Sequence, residues 1–183
     1  SAPALALLAL TGAIEAKSEH PLAQAIVTEC RKHQLTVAEC ANFQSISGKG
    51  ASGVIGGRRI GVGNARYFTS QNIPIPEHFT AQLAALQDAG KTCVIVGEFD
   101  NTGSSARLLG AIAIADVLRP EAISVIQQLK ADGIERVVML TGDNARVAQA
   151  IARQVGVDEF HADLLPEDKV KVIKELKNIG PVA

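Results

Sequence analysis

The order of apolar and polar positions predicts two architectures along the chain. In the first part, the periodicity indicates helices over residues 4–10, 18–33 and 77–89, with strands over 51–55, 58–62, 92–99 and 108–115. Pro21 falls in the first turn of the second helix, where its missing N–H costs nothing. Gly56 and Gly57 predict a hairpin turn between two of the strands. To about residue 112, the chain is therefore predicted to be an α+β domain with an antiparallel sheet and flanking helices.

The second part of the chain alternates helices with apolar segments. Its predicted helices cover residues 120–131, 144–155 and 166–177. The run RVVML at 136–140 predicts a fully apolar, buried strand, and a strand-like segment follows the next helix. This alternation is typical of a parallel, Rossmann-like sheet. Residues 113–183 are therefore predicted to form part of an α/β domain.

Composition and charge exclude some classes of function. Of the 183 residues, 47% are hydrophobic, which is enough for a sizeable core, and the net charge is -1. No run of Lys or Arg stands out, aromatic residues make up 3%, and Trp is absent. Nucleic-acid partners are not expected, because they need a concentrated basic face or a platform for base stacking.

The cysteines and the apolar runs indicate a reduced, aqueous setting. Cys30, Cys40 and Cys93 are widely spaced and form no C-x-x-C pair, so neither a disulfide framework nor a zinc site is predicted. The longest apolar run, residues 4–10, is far shorter than the roughly 20 residues that cross a bilayer. Since Ser1 is not an initiator Met, the chain is expected to be a soluble piece of a longer protein.

Two glycine-containing stretches loosely match phosphate-binding motifs. Residues 85–92 (ALQDAGKT) resemble a Walker A loop, but such a loop needs a strand before it and a helix after it. The predicted order here is a helix, Gly90 as its C-cap, and then a strand. Residues 48–53 (GKGASG) match G-x-G-x-x-G, yet a hairpin follows instead of a helix, and residues 54–76 contain no Asp or Glu. Neither stretch is predicted to act as a P-loop or a dinucleotide-binding loop.

Several other motifs occur in a fixed order along the chain. They are Glu15 with 18–22 (SEHPL), 48–50 (GKG), 63–64 (GN), 141–144 (TGDN) and 166–169 (PEDK). In this set the sequence resembles the heavy-metal-transporting P-type ATPases (P1B type). The nucleotide-binding domain of that family carries S-E-H-P-L, an upstream Glu, G-x-G and G-N. Its phosphorylation domain carries T-G-D-N and P-x-x-K on a Rossmann-like, haloacid-dehalogenase-like fold, so the resemblance covers essentially the whole chain.

The resemblance implies an ATP site in residues 1–112, as a nucleotide-binding domain. Glu15 and His20 would hold the adenine, because a carboxylate accepts from the exocyclic amine and an imidazole stacks or hydrogen-bonds beside the ring. Gly48, Gly50 and Gly63 would let the backbone approach the ribose and phosphates without a Cβ in the way. The side-chain amide of Asn64 would fix the loop or a ligand oxygen. For each residue alone, a helix start or a turn is the favoured explanation, and only their ordered occurrence favours a site.

The resemblance also implies a phosphoryl site in residues 113–183, as a partial phosphorylation domain. Thr141 and Gly142 would contact the transferred phosphoryl group, Asp143 would organise the site, and Lys169 would neutralise charge. The first three follow the predicted apolar strand at its carboxyl end, where open α/β sheets bind ligands. The alternative interpretation makes Asp143-Asn144 a helix N-cap, a role that is compatible with a site, and makes Lys169 a solvated helix residue.

Two motifs of the family do not occur in the sequence: D-K-T-G-T, whose Asp accepts the phosphate, and G-D-G-x-N-D, which binds Mg²⁺. Residues 116–119 (DVLR) resemble the hinge at which the two domains rejoin. The chain is therefore expected to bind ATP without turnover, with Mg²⁺ acting in the complete pump. The implied partners are ATP and the remaining phosphorylation, actuator and transmembrane domains of a pump, at the cytoplasmic face of a membrane.

The identity of the transported metal is only weakly indicated. By resemblance, residues 134–144 and 164–170 favour a zinc/cadmium pump over a copper pump. Two alternatives stay open: a fragment of another haloacid-dehalogenase-like phosphatase, and a regulatory module that binds a nucleotide without catalysis.

Overall fold

The structure, a computed structural model, describes residues 1–46, 48–100, 102–115 and 118–182. It divides into two compact units. The first comprises Ser1–Leu83 and Cys93–Ile114, and the second comprises Ala84–Thr92 and Ala115–Ala183. The predicted domain boundary near residue 112 stays a prediction. Asp116 and Val117 of the proposed hinge motif lie outside the described residues.

Four helices begin in the first unit: α1 (Ala2–Glu15), α2 (Pro21–Lys32), α3 (Ala65–Ser70) and α4 (Glu77–Asp88). The first is longer than the predicted 4–10, because the apolar residues after Leu10 continue the same helix. Pro21 stands at the start of α2, as predicted. The sequence pattern did not predict α3, a short helix that Asn64 begins by accepting a hydrogen bond from Tyr67 N at 3.0 Å.

The sheet of the first unit contains β1 (Ala41–Ile46), β2 (Gly50–Ile55), β3 (Arg58–Gly63), β4 (Lys91–Phe99) and β5 (Ala106–Ala115). The strands lie side by side in chain order, and the pairs from β1 to β4 are antiparallel. The predicted hairpin is confirmed: Gly56 and Gly57 have φ of 55° and 79°, which glycine adopts without strain.

The two faces of this sheet are covered differently. One face packs against α1, where Ile14 meets the buried side chains Ile60, Val62 and Val96. The other face carries an aromatic cluster of Tyr67, Phe68 and Phe99, with ring centroids 5.1–6.2 Å apart. The core of the first unit therefore lies on both sides of its central strands.

The second unit contains α5 (Ala122–Ala131), β6 (Val138–Leu140), α6 (Ala145–Val155), β7 (Glu159–His161) and α7 (Pro166–Lys177). The predicted parallel pairing is confirmed, with Met139 opposite Phe160. The buried strand predicted over 136–140 is wrong in extent and in burial. Only three residues pair, all half-buried, and the exposed Arg136 instead forms an ion pair with Glu159.

The two loose phosphate-binding motifs have the structures that the sequence predicted. Residues 85–92 run from α4 through Gly90, with φ of 74°, directly into β4, so no loop precedes a helix N-terminus there. Residues 48–53 enter β2 rather than a helix. Among the described residues, no helix combines the length and the apolar character needed to cross a membrane.

Candidate functional site

A short turn between α1 and α2 links two of the predicted site residues. Glu15 is the last residue of α1 and is half-buried. Burial raises the pKa of the Glu15 carboxyl group, and a hydrogen bond with the Ser18 side chain opposes this shift. Ser18 Oγ in turn accepts from the backbone N–H of His20 at 3.3 Å. Ser18 therefore connects the carboxylate to the start of the next helix.

His20 is the N-cap of α2. Its Nδ1 accepts from the backbone N–H of Leu22 at 3.2 Å, and its side chain is exposed. Both interpretations of His20 from the sequence, as a helix-start residue and as a ligand contact, are compatible with this position. The capping bond uses one ring nitrogen and leaves Nε2 open to solvent or to a ligand.

A cavity of about 310 Å³ lies beside Glu15. Its polar lining residues are Glu15, Ser18, Gln24, Thr28 and Arg31. Glu15 is the one residue of the predicted adenine site that lines it. The α2 residues of the lining were missed by the sequence analysis, although they follow His20 at helical spacing along one face of α2.

The structure brings the glycine motifs and Asn64 together at one end of the β2–β3 pair. Gly50 and Gly63 are direct partners in the register of these strands. Asn64 Nδ2 donates to Gly48 O at 3.0 Å, and Asn64 N donates to Lys49 O at 2.9 Å. Within the described part of the chain, no hydrogen bond joins this cluster to Glu15 or His20.

The protein's own packing accounts for these glycines. A Cβ at Gly50 would lie 2.3 Å from Val62 O, and one at Gly63 would lie 2.6 Å from Lys49 O and 2.8 Å from Tyr67 Cβ. Gly48 has φ of 70° in the turn before β2. Close strand approach and turn geometry therefore require glycine here whether or not a ligand is bound.

In the second unit, the T-G-D-N motif forms a compact loop at the carboxyl end of β6. Thr141 Oγ1 donates to Asp143 Oδ2 at 2.7 Å and accepts from Asp143 N at 3.1 Å. The N-cap of α6 is Asn144, whose Oδ1 accepts from Arg146 N and Val147 N at 3.0 and 3.2 Å. The capping role considered for Asp143 is therefore wrong, because the helix starts one residue later and the Asp143 carboxylate holds the Thr141 hydroxyl.

Lys169 lies in the first turn of α7 and is half-buried. The loop before this helix is tied to the T-G-D-N loop, since Leu164 N donates to Thr141 O at 3.1 Å and Asp163 N to Asp143 O at 2.7 Å. A Cβ at Gly142 would lie 3.3 Å from Leu164 O, so the two loops are in close contact. Thr141, Gly142 and Asp143 are thus assembled next to the start of the helix that carries Lys169.

Metal-ligating side chains do not cluster in the described part of the chain. Over residues 1–46, 48–100, 102–115 and 118–182, no group of three His, Cys, Asp or Glu side chains is placed to hold a metal ion.

Sequence comparisons identify relatives along nearly the whole chain. A profile of the haloacid dehalogenase-like hydrolases matches residues 4–182. The copper-exporting P-type ATPase of Staphylococcus aureus (strain bovine RF122 / ET3-1) is 40% identical over 173 residues, which cover 94% of this chain and 21% of that protein. The same protein of strain JH9 gives the same values. The chain thus spans about a fifth of the length of the curated relatives it matches.

Solved structures give a consistent result. A zinc-transporting PIB-type ATPase in the E2.Pi state is 38% identical with a TM-score of 0.59, covering 96% of this chain and 27% of that chain. The catalytic domain of the CPx-ATPase CopB-B is 23% identical with a TM-score of 0.63, covering 95% of this chain and 57% of that chain, and this likeness shows the fold alone. The predicted resemblance to heavy-metal P-type ATPases is confirmed.

Proposed function

The chain belongs to the haloacid dehalogenase-like hydrolase family. From its likeness to copper-exporting and zinc-transporting P-type ATPases, we propose that it is the ATP-binding part of a heavy-metal-transporting P-type ATPase. It would present ATP for phosphoryl transfer to an Asp that its sequence does not contain. The observation that carries the proposal is the Glu15–Ser18–His20 turn beside a cavity of about 310 Å³.

The adenine is proposed to bind at this turn. The Glu15 carboxylate is half-buried and lines the cavity, so its interaction with an exocyclic amine is only partly screened by water. When neutral, His20 carries its proton on Nε2, because Nδ1 accepts the capping bond from Leu22. His20 therefore offers a purine a donor or a ring face, while Glu15 offers an acceptor. The cavity volume lies at the lower end of the range of small-molecule sites.

The T-G-D-N loop and Lys169 are proposed to handle the phosphoryl group. Thr141 and Gly142 would contact it at the carboxyl end of β6, where open α/β sheets place their ligands. Asp143 would orient the Thr141 hydroxyl through the 2.7 Å hydrogen bond, and Lys169 would supply positive charge. Mg²⁺ would act in the complete pump, and we assign no step on these residues to it.

ATP titration of the full chain tests the nucleotide site. We expect weak binding by calorimetry, with amide shifts around Glu15 and His20, and weaker binding in His20→Gln because the amide has no aromatic ring to stack. The matched control is His33→Gln, an exposed histidine at the other end of α2, which should bind as the wild type does. Shifts that instead cluster at Gly90–Thr92 would overturn the proposal in favour of the Walker-like stretch.

The proposal also includes the transported metal and the cellular location of the chain. The chain would work at the cytoplasmic face of a membrane with the remaining phosphorylation, actuator and transmembrane domains. Zinc or cadmium is the proposed cargo, supported by the 38% identical zinc-transporting neighbour, while curated relatives named as copper exporters make copper the competitor. ATP hydrolysis by the longer protein, compared with Zn²⁺, Cd²⁺ and Cu⁺, decides between them. Hydrolysis that no metal stimulates would favour the regulatory module instead.

A further inference from the structure

A polar depression of about 250 Å³ lies on β1, β2 and β3 of the first unit. Its lining residues are Asn42, Gln44, Ser52, Gly53, Val54 and Arg59, and we call it the Ser52 depression. It shares no lining residue with the cavity beside Glu15. We propose that the Ser52 depression binds a phosphate-type oxyanion, independently of the nucleotide site.

The depression exists because β1 and β2 lose their regular pairing at this point. Ala41 pairs with Val54 and Gln44 with Ser52, so β1 has one more residue than β2 between these pairs. This bulge leaves Gly53 without a partner on β1, and Asn42 takes a φ of 50°. The regular pairing of β1 with β2 is therefore interrupted here, and the polar side chains of Asn42 and Gln44 on β1 line the depression at this point.

The depression lies on the face of the sheet opposite α1. A Cβ at Gly53 would point to Ile14 Cδ1, 3.2 Å away, so the neighbours Ser52 and Val54 point to the other side. Ser52 pairs with Gly61 on β3, and a Cβ at Gly61 would lie 2.4 Å from Phe99 Cε2. The aromatic cluster therefore lies on the same face of the sheet as the depression, and the bulge opens the depression on the β1 side.

Ser52 is a mostly buried polar residue at the depression. Its exposed fraction is 5%, and within the described part of the chain no buried side-chain N or O atom lacks a hydrogen-bond partner. The Ser52 hydroxyl borders the depression, so it is positioned to donate a hydrogen bond to a group bound there.

The charge of the depression favours an anion. Arg59 Cζ lies 5.3 Å from the centroid of the Phe99 ring, and among the described residues no carboxylate pairs with the Arg59 guanidinium. Its neighbour Arg58, by contrast, is paired with Glu98. Within the described ranges of the chain, no acidic side chain lines the depression.

The donor set of the depression matches an oxyanion. Arg59, Ser52 and the amides of Asn42 and Gln44 can all donate hydrogen bonds into the same space. A phosphate group has several acceptor oxygens and a double negative charge, so it can use several of these donors at once, whereas a carboxylate has fewer acceptors and less charge. The volume admits a group of this size together with bridging water.

Titration of the full, ¹⁵N-labelled chain with inorganic phosphate tests this proposal, with ionic strength held constant by chloride. Saturable amide shifts should appear at Ser52, Gly53 and Val54. Arg59→Gln should weaken binding by about tenfold or more, because it removes the positive charge from the described donors of the depression. The matched control is Arg107→Gln, an exposed arginine of the same sheet outside the depression, which should bind phosphate unchanged.

Three results would overturn the proposal. The first is unchanged phosphate binding in Arg59→Gln, and the second is a set of shifts confined to other parts of the chain. The third is acetate binding as tightly as phosphate, which would make the depression a general carboxylate site. If Arg59→Gln disturbs the amide spectrum of the whole sheet, Ser52→Ala decides, because it removes one oxygen and should still weaken binding.

Discussion

At the scale of single residues, Glu98 shows how a surface carboxylate acquires a strongly altered acidity. Arg58 donates to both of its oxygens, at 2.6 and 2.8 Å, and Arg107 donates to Oε2 at 2.9 Å. These hydrogen bonds, from Arg58 first and then from Arg107, lower the pKa of Glu98 to about 2. Glu98 thereby connects β3, β4 and β5 on one face of the sheet.

Glu98 makes a pH-dependent contribution to stability. Its pKa in the folded chain, about 2, lies below the ordinary value of 4.5, so the stabilisation is present above the ordinary value and is lost as the pH falls towards 2. We expect Glu98→Gln to unfold at lower urea concentration than the wild type near neutral pH, with a difference that shrinks on acidification. Urea unfolding followed by Tyr67 fluorescence measures this difference.

The control for this prediction is Glu39→Gln, an exposed glutamate that precedes β1. It should leave the urea midpoint close to that of the wild type at every pH. A Glu98→Gln difference that stays constant as the pH falls would mean that the carboxylate charge does not contribute to stability.

At the scale of secondary structure, the end of the β2–β3 pair depends on two facing glycines. Gly50→Ala should lower the free energy of unfolding by about 1–3 kcal/mol, because the new Cβ would overlap Val62 O across the strand pair. Gly180→Ala adds the same methyl group where no atom lies within 4 Å, and should have little effect. Equal unfolding free energies for Gly50→Ala and the wild type would show that the strands separate easily here. Loss of ATP binding in Gly50→Ala must be judged against this loss of stability.

The sequence predicted long periodic elements well and short ones poorly. The bounds predicted for the last helix, 166–177, are those of α7, and the Gly56-Gly57 hairpin is confirmed. The short helix α3 was missed because its six residues carry too little periodicity and its cap, Asn64, was interpreted as a ligand contact. The strand β6 is shorter than predicted because an apolar run does not specify how many residues find a partner.

The candidate site was predictable only as far as local sequence determines it. The connection from Glu15 to His20 follows from the six chain positions 15–20 and a helix start. The lining of the adjacent cavity by Gln24 and Arg31 depends on how α1 and α2 pack, which no motif encodes. The strand-packing role of Gly63 likewise required the position of Tyr67.

At the scale of the whole molecule, the chain is expected to bind ATP without reacting with it. Covalent phosphoryl transfer needs a carboxylate nucleophile in line with the phosphorus, and the D-K-T-G-T motif does not occur in the sequence. Asp143 is the one carboxylate of the T-G-D-N loop, and its hydrogen bond to Thr141 occupies one oxygen. Incubation with γ-labelled ATP and Mg²⁺, followed by acid quench, should leave no label on the protein.

Label that appears in the wild type and disappears in Asp143→Asn would identify Asp143 as a nucleophile and contradict this prediction. Label that appears only in a longer protein containing D-K-T-G-T and G-D-G-x-N-D would support the proposed pump.

The division of the chain into two interleaved units has a consequence for synthesis on the ribosome. The first unit has all its residues once Ile114 has been translated, but by then residues 84–92 of the second unit have also been made. Asp88 cannot form its ion pair at this stage, because its partner Arg146, 3.0 Å away in the structure, is translated 58 residues later. A released chain that stops after Ile114 would therefore contain every residue of the first unit, together with a last turn of α4 whose partners do not yet exist.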